Sequence, residues 1–241
     1  MNALRCAIQF LTILPAGKPA RFDPAGMVPM FPAVGLMVGG LVALADAAAL
    51  RLWSPAADAM VDVAVLAWIT GALHLDGLGD TADGLYGNRP RERSLEIMKD
   101  SRVGAMGVVA LILGLGLKWA GIAGMTEHRT LLLVLIPALA RGSMLFGFRF
   151  LEYARPDGGT GHAFFEKPLP WSGFRILLPV AALALIAGWR GLAVLAALAL
   201  TTTLVLRFYR RKMGGVTGDM LGALTEINEA VLFLAASATP G

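Results

Sequence analysis

A chain of 241 residues that is 56% hydrophobic and only 16% charged, with a mean hydropathy of +0.66, lacks the polar surface of an ordinary soluble domain, where about a quarter of residues are charged. The single cysteine, Cys6, excludes an internal disulfide and reads as a small apolar residue. The net charge of +4 resides in short basic loops between apolar runs, which suits anionic lipid and requires no nucleic-acid partner.

The composition predicts an all-α, polytopic membrane bundle forming one domain over 1–241. The first element is a short interfacial helix around "CAIQFLTILP", which has no small-x-small cleavage site and is therefore read as retained. A span needs about 20 mostly apolar residues. Seven segments fit: 28–50, 59–75, 104–125, 129–151, 173–189, 191–208 and 219–237. With a cytoplasmic N-terminus, sixteen lysines and arginines from Arg5 to Lys212, including Arg21, fall on the cytoplasmic side, against Arg51, Arg129 and Arg190 on the other. Lys118, beside Trp119 at the far end of the third span, reads as a snorkelling anchor.

At the end of the second span lies "HLDGLGDTADGLYGNRPRERSLEIMKDSRVGAMG", starting at His74. Asp76, Asp80 and Asp83 are spaced i, i+4, i+7, so on a helix they fall within about 60° of one another. Three carboxylates on one stripe repel unless a cation lies between them, and Mg²⁺ takes oxygen ligands from carboxylates, water and phosphate. The stripe therefore reads as a Mg²⁺ site facing the cytoplasm. Gly77, Gly79 and Gly84 weaken a helix by about 1 kcal/mol each relative to alanine and suggest close approach of a bulky ligand. His74, on the opposite side of the helix from Asp76, is assigned to packing or hydrogen bonding.

The stretch "RRKMGGVTGDMLGALTEINEAVLFL" carries a second acidic set. Asp219 and Glu226 share a face at i, i+7, with Glu229 about 80° away. Ionisable groups inside a span face a cavity or a partner, so the two acidic sets are expected to meet, with carboxylates within about 10 Å around one or two metal ions. Gly215, Thr217 and Gly218 precede this helix, where free N–H groups would seat a phosphate, although a plain turn has the same sequence. Arg141, inside the fourth span, requires either phosphate or a salt bridge to Glu226 or Glu229. Lys99 and Arg102 are phosphate contacts or interfacial charges.

"HLDGLGDTADGLYG", "MKDSRVGAMGVVAL" and "GGVTGDMLGALTEINE", in that order, resemble the cobalamin synthases, or adenosylcobinamide-GDP ribazoletransferases, over almost the whole chain. The resemblance implies a Mg²⁺-dependent transferase of a bacterial inner membrane, with its active site facing the cytoplasm. It would join adenosylcobinamide-GDP to α-ribazole or α-ribazole 5′-phosphate and release GMP. It also implies that Asp76, Asp80 and Asp83 are metal carboxylates, with Asp219 and Glu226 as ligands or base. A homo-oligomer stays open. Two other classes share part of this pattern. A CDP-alcohol-type lipid head-group phosphotransferase uses similar chemistry, but Asp80-Thr81 stands where its signature has Ala-Arg. A cation transporter also carries intramembrane carboxylates, but the bases beside them and the lack of an internal repeat weigh against it.

Overall fold

A computed structural model describes residues 2–18, 22–155 and 161–239, so Arg21 lies outside the described residues. The chain is a polytopic helical membrane protein. Its helices are α1 (Asn2–Leu11), α2 (Pro24–Met27), α3 (Phe31–Ala49), α4 (Pro55–Ile69), α5 (Leu73–Leu85), α6 (Arg91–Ile97), α7 (Ala105–Gly124), α8 (Arg129–Phe150), α9 (Leu177–Ala184), α10 (Trp189–Met213) and α11 (Gly218–Ser237). Five helical runs are long and apolar enough to cross a bilayer: Pro24–Ala49, α7, α8, α10 and α11. Joining α4 to α5 raises the number to six.

Two of the expected spans take a different form. The segment 173–189 is a short, broken apolar stretch, Trp171–Ala187, in which α9 is flanked by 3₁₀ turns. It ends at Gly188, whose φ of +62° reverses the chain into α10. The second span does not run straight into the aspartates. After α4 the chain turns by 89° into α5. The corner is built from Gly71 (φ +57°) and Ala72 (φ +56°), the latter in a region that alanine rarely adopts. Ile13 N donates to Ile69 O (2.9 Å), satisfying a carbonyl that the ending helix leaves free, and Thr70 Oγ1 adds a second bond to Leu66 O (2.9 Å).

Without a hydrophobic force between helices in lipid, close packing needs small residues at the contacts. A Cβ on Gly39 of α3 would lie 2.5 Å from Val134 O of α8. On Gly121 of α7 it would lie 2.6 Å from the Phe233 carbonyl carbon of α11, and on Gly77 of α5 it would lie 2.7 Å from Asp219 O. Helices α8 and α11 thus form the buried centre, enclosed by the others.

The loops sort to two ends. At one end Lys212 Nζ donates to Gly87 O (3.0 Å), Arg91 to Ala154 O (2.6 Å), and Tyr153 forms a parallel backbone bridge with Val216. At the other, Arg129 reaches Asp46, Asp58 and Asp62, and Arg190 pairs with Glu127. This is the division into two groups of loops that the distribution of bases predicts.

Candidate active site

The aspartate stripe lies on one helix, and α5 packs its glycine side on α11. Gly77 admits the Asp219 backbone, and Gly84 admits Met98, whose Cγ would lie 2.6 Å from a Cβ there. These two glycines therefore serve helix contact, correcting the expectation that they make room for a ligand. The packing sets Asp76 and Asp219 on the border of one cavity, with Asp80 near enough to feel the charge of both. Asp76 is exposed, and Asp80 and Asp219 are half-buried. Arg155 Nη2 donates to Asp219 Oδ2 at 2.6 Å and is a guanidinium within range of Asp80 as well.

Asp83 has a different task. Its Oδ2 accepts from Gly104 N (2.6 Å) and its Oδ1 from Gly107 N (2.9 Å). These are backbone donors at the N-terminus of α7, where unpaired N–H groups and the positive helix end favour a carboxylate. A Cβ on Gly104 would lie 2.5 Å from Asp83 Oδ1, which accounts for a glycine there. Asp83 thus caps one helix from another. Its remaining lone pairs leave room for a further ligand.

Glu226 does not join the aspartates. It accepts from Lys118 Nζ (2.6 Å), which also reaches Glu229 (2.5 Å), and Arg141 Nη1 donates to Glu229 Oε1 (2.9 Å) and Pro137 O (3.1 Å). All four charged side chains are almost wholly buried, two cations against two anions, so the set is neutral. Lys118 is therefore an internal counter-ion, correcting its reading as a snorkelling anchor. Of the two partners left open for Arg141, the structure supplies the carboxylate of Glu229.

The "GGVTG" turn is only partly available. Gly214 (φ +68°) ends α10, and Gly215 is buried so that a Cβ would lie 2.5 Å from Glu152 O. Val216 N donates to Glu152 O (2.9 Å), and the Thr217 hydroxyl caps α11 by accepting from Met220 N (3.2 Å). Gly215 and Thr217 thus hold the turn in place, whereas Gly218 is exposed and faces open space. Arg102 grips Asp100 through two donors (2.9 and 2.6 Å), and these bonds pull the Asp100 carboxyl down to about 2. Lys99 is exposed.

Asp76, Asp219, Arg155 and Gly218 line one cavity of about 480 Å³. A family model described as cobalamin-5-phosphate synthase (CobS) matches residues 3–237. The chain belongs to this family. Among curated relatives, the adenosylcobinamide-GDP ribazoletransferase of Roseiflexus sp. (strain RS-1) is 40% identical over 93% of this chain and 85% of its own. Those of Geotalea daltonii and Bradyrhizobium diazoefficiens are 38% and 40% identical, each over 98% of this chain and 96% or 93% of theirs. No solved structure matches the chain.

Membership of the CobS family makes the chain an enzyme, a transferase of cobalamin biosynthesis, as the motifs imply. One residue of the cavity escapes sequence reasoning. Arg155 is one of many loop bases, and only the pairing of Tyr153 with Val216 carries it to Asp219. His74, fully buried, lines the cavity with neither ring nitrogen hydrogen-bonded. A third acidic set, Asp46, Asp58 and Asp62, also lies outside the motifs; their carboxylate oxygens fall within 4.8 Å of one another. Among the described residues, the predicted metal carboxylates do not converge that tightly.

Proposed function

We propose that the protein transfers the cobinamide phosphate of adenosylcobinamide-GDP to the ribose 3′-hydroxyl of α-ribazole or its 5′-phosphate, releasing GMP. The observation that carries this reading is the cavity where exposed Asp76 and half-buried Asp219 lie beside Arg155, in a chain of the CobS family. Asp76, Asp80 and Asp219 are hard oxygen donors with Arg155 as their nearby guanidinium, a donor set that suits Mg²⁺. Bound there, Mg²⁺ would neutralise diphosphate charge as a Lewis acid.

The chain's own groups supply the rest. Arg155 offers a planar fork to a phosphoryl oxygen, and the start of α11 at Gly218, a helix end that favours an anion, borders the same cavity. Asp76 or Asp219 accepts the proton of the attacking hydroxyl, an effect of typically 10² to 10⁴-fold. Attack at the β-phosphorus forms the new P–O bond as the bond to GMP breaks, so no covalent enzyme intermediate is needed.

The test follows GMP release from adenosylcobinamide-GDP with α-ribazole, using purified protein in nanodiscs at graded Mg²⁺. Release should require both substrates and Mg²⁺. Release of CMP from a CDP-alcohol, with no GMP formed, would overturn the assignment. We place the aspartate end in the cytoplasm of a bacterial inner membrane, from the distribution of bases. Cysteine labels near Arg91 and Arg211 should then react only from the cytoplasm, and labels near Ser54 and Glu127 only from outside. The labelling position at Pro156 lies outside the described residues.

A further inference from the structure

A second cavity, of about 510 Å³, shares a wall with the first: Phe148, Tyr153, Arg155 and Phe165 border both. Asp76 and Asp219 border only the first. The second adds Arg149, Glu152 and His162. The two spaces therefore differ in charge. The first gathers acids around one guanidinium, whereas the second gathers two guanidiniums and an imidazole with one carboxylate. Two like charges around one space repel unless an anion lies between them. Glu152 is not that anion, since it forms an ion pair with neither arginine.

Arg149 supplies the second observation. It stands in the last turn of α8, with its guanidinium carbon 5.0 Å from the Trp171 ring centre and 6.0 Å from that of Phe150. Stacking of this kind engages the flat face of the group and leaves its N–H donors, which lie in the plane, for another partner. Among the described residues they have none. Nearby bases do: Arg91 donates to Ala154 O, Arg155 to Asp219 and Arg210 to Phe150 O. A base in the last turn also gains about 0.3–1 kcal/mol from the helix dipole, but that gain requires neither stacked rings nor a cavity. A guanidinium oriented by rings, partly exposed and given no protein acceptor, suits an anion with paired oxygens, which its fork matches in two bonds.

We propose that Arg149, with Arg155 on the shared wall, forms a second phosphate subsite, which holds the substrate phosphate that is not transferred. This inference rests on the transferase reading above, in which Arg155 meets the transferred phosphoryl group, and adds to it the place of the other phosphate. The reaction offers two such groups. The guanylate phosphate that leaves shares an oxygen with the transferred phosphorus, and the 5′-phosphate of phosphorylated α-ribazole sits on the same ribose as the attacking hydroxyl. Either lies close to Arg155, and either presents the same anionic oxygens to Arg149.

The experiment measures kcat and each KM for Arg149→Met in phosphatidylcholine nanodiscs, with adenosylcobinamide-GDP and either α-ribazole or its 5′-phosphate, and inhibition by GMP. If the acceptor phosphate is held, KM for α-ribazole 5′-phosphate should rise at least tenfold, with KM for α-ribazole and for the guanylated substrate within about threefold. If the guanylate phosphate is held, KM for adenosylcobinamide-GDP should rise at least tenfold with either acceptor, and GMP should inhibit correspondingly less. Binding that is equal in ground and transition states appears in KM. Unchanged KM values with unchanged GMP inhibition, a fall in kcat alone, or an effect seen only when anionic lipid is added would overturn the proposal, the last by assigning Arg149 to a lipid head group. Arg149→Lys keeps the charge and loses the fork, and carries the same test if Arg149→Met fails to fold. If no GMP is released at all, the transferase reading falls. The subsite is then judged by equilibrium binding of GMP and of α-ribazole 5′-phosphate, and equal affinities of the unaltered protein and the variant for both would overturn it.

Discussion

The two ends of the bundle each gather three aspartates around one arginine, with opposite consequences. At the Glu127 end, Asp46, Asp58 and Asp62 are sealed from solvent, and Arg129 reaches all three, at 2.6, 2.7 and 3.3 Å. At the α5 end, Asp76, Asp80 and Asp219 are at least partly open, Arg155 holds only Asp219, and a cavity adjoins them. The first set ties α3, α4 and α8 together. The second has lone pairs and room to spare. Carboxylate clustering alone therefore does not mark a site in this fold; unsatisfied capacity beside accessible space does.

The strongest way to break this contrast is to neutralise each set. Asp76→Asn with Asp80→Asn should lower GMP release by 10³-fold or more with the protein still inserted, on the order of the loss when charge stabilisation of a transition state is removed. Asp58→Asn should leave turnover within about threefold, since a buried amide there still accepts from Arg129. Comparable loss in both variants would erase the functional difference between the ends.

Exchanging the arginines sharpens the same point in stability. Arg129→Met strands three buried carboxylates and should cost about 3–5 kcal/mol, read as a lowered thermal midpoint in detergent. Arg155→Met removes a partly exposed pair, whose structural contribution is about 0–1 kcal/mol, yet should cut turnover by tenfold or more. Equal midpoints for the two variants would mean that Arg129 does not hold its end together.

How much of this was legible beforehand depends on whether the signal is local. Apolar runs announce membrane helices, and the spacing of Asp76, Asp80 and Asp83 correctly puts them on one helix. The 89° corner at Gly71 and Ala72 is invisible to hydropathy, because Thr70 to Leu73 continues the apolar count. The broken stretch 171–187 fails as a full span for a similar reason: apolar composition does not report the 3₁₀ turns flanking α9. The partners of Lys118 lie 108 and 111 positions away, so nothing local distinguishes it from a snorkelling anchor. Asp58 and Asp62, an i, i+4 acidic pair in an apolar helix, did carry a local signal, which points to a buried cation such as Arg129.

Gly77→Ala tests whether the open site depends on backbone approach. The added Cβ would lie 2.7 Å from Asp219 O, so α5 and α11 must separate by several tenths of an ångström. Overpacking of this kind costs about 1–3 kcal/mol, and a misplacement approaching 1 Å costs up to about 10²-fold in rate. Turnover should fall tenfold to hundredfold, whereas Gly79→Ala, with Leu111 Cδ1 at 3.7 Å, should be nearly silent. Matching losses in the two variants would show that helix propensity, not the Asp219 contact, sets the effect.

The smallest expected effect separates two roles for Asp83. As a cap on α7, its carboxylate accepts two backbone N–H bonds at a positive helix end. Asp83→Asn keeps one acceptor oxygen, replaces the other with an NH₂ that cannot accept, and removes the charge. The cost should be about 1–2 kcal/mol in thermal stability, the usual range for a lost cap. If capping is its whole contribution, turnover below the melting transition should stay within about threefold and should show no altered Mg²⁺ dependence. If Asp83 also holds the metal beside Asp80, the same variant should need several-fold more Mg²⁺ for half-maximal GMP release. Titrating Mg²⁺ at fixed temperature against the unaltered protein distinguishes these outcomes, because a cap lost from α7 changes the folded fraction and not the midpoint of the metal curve.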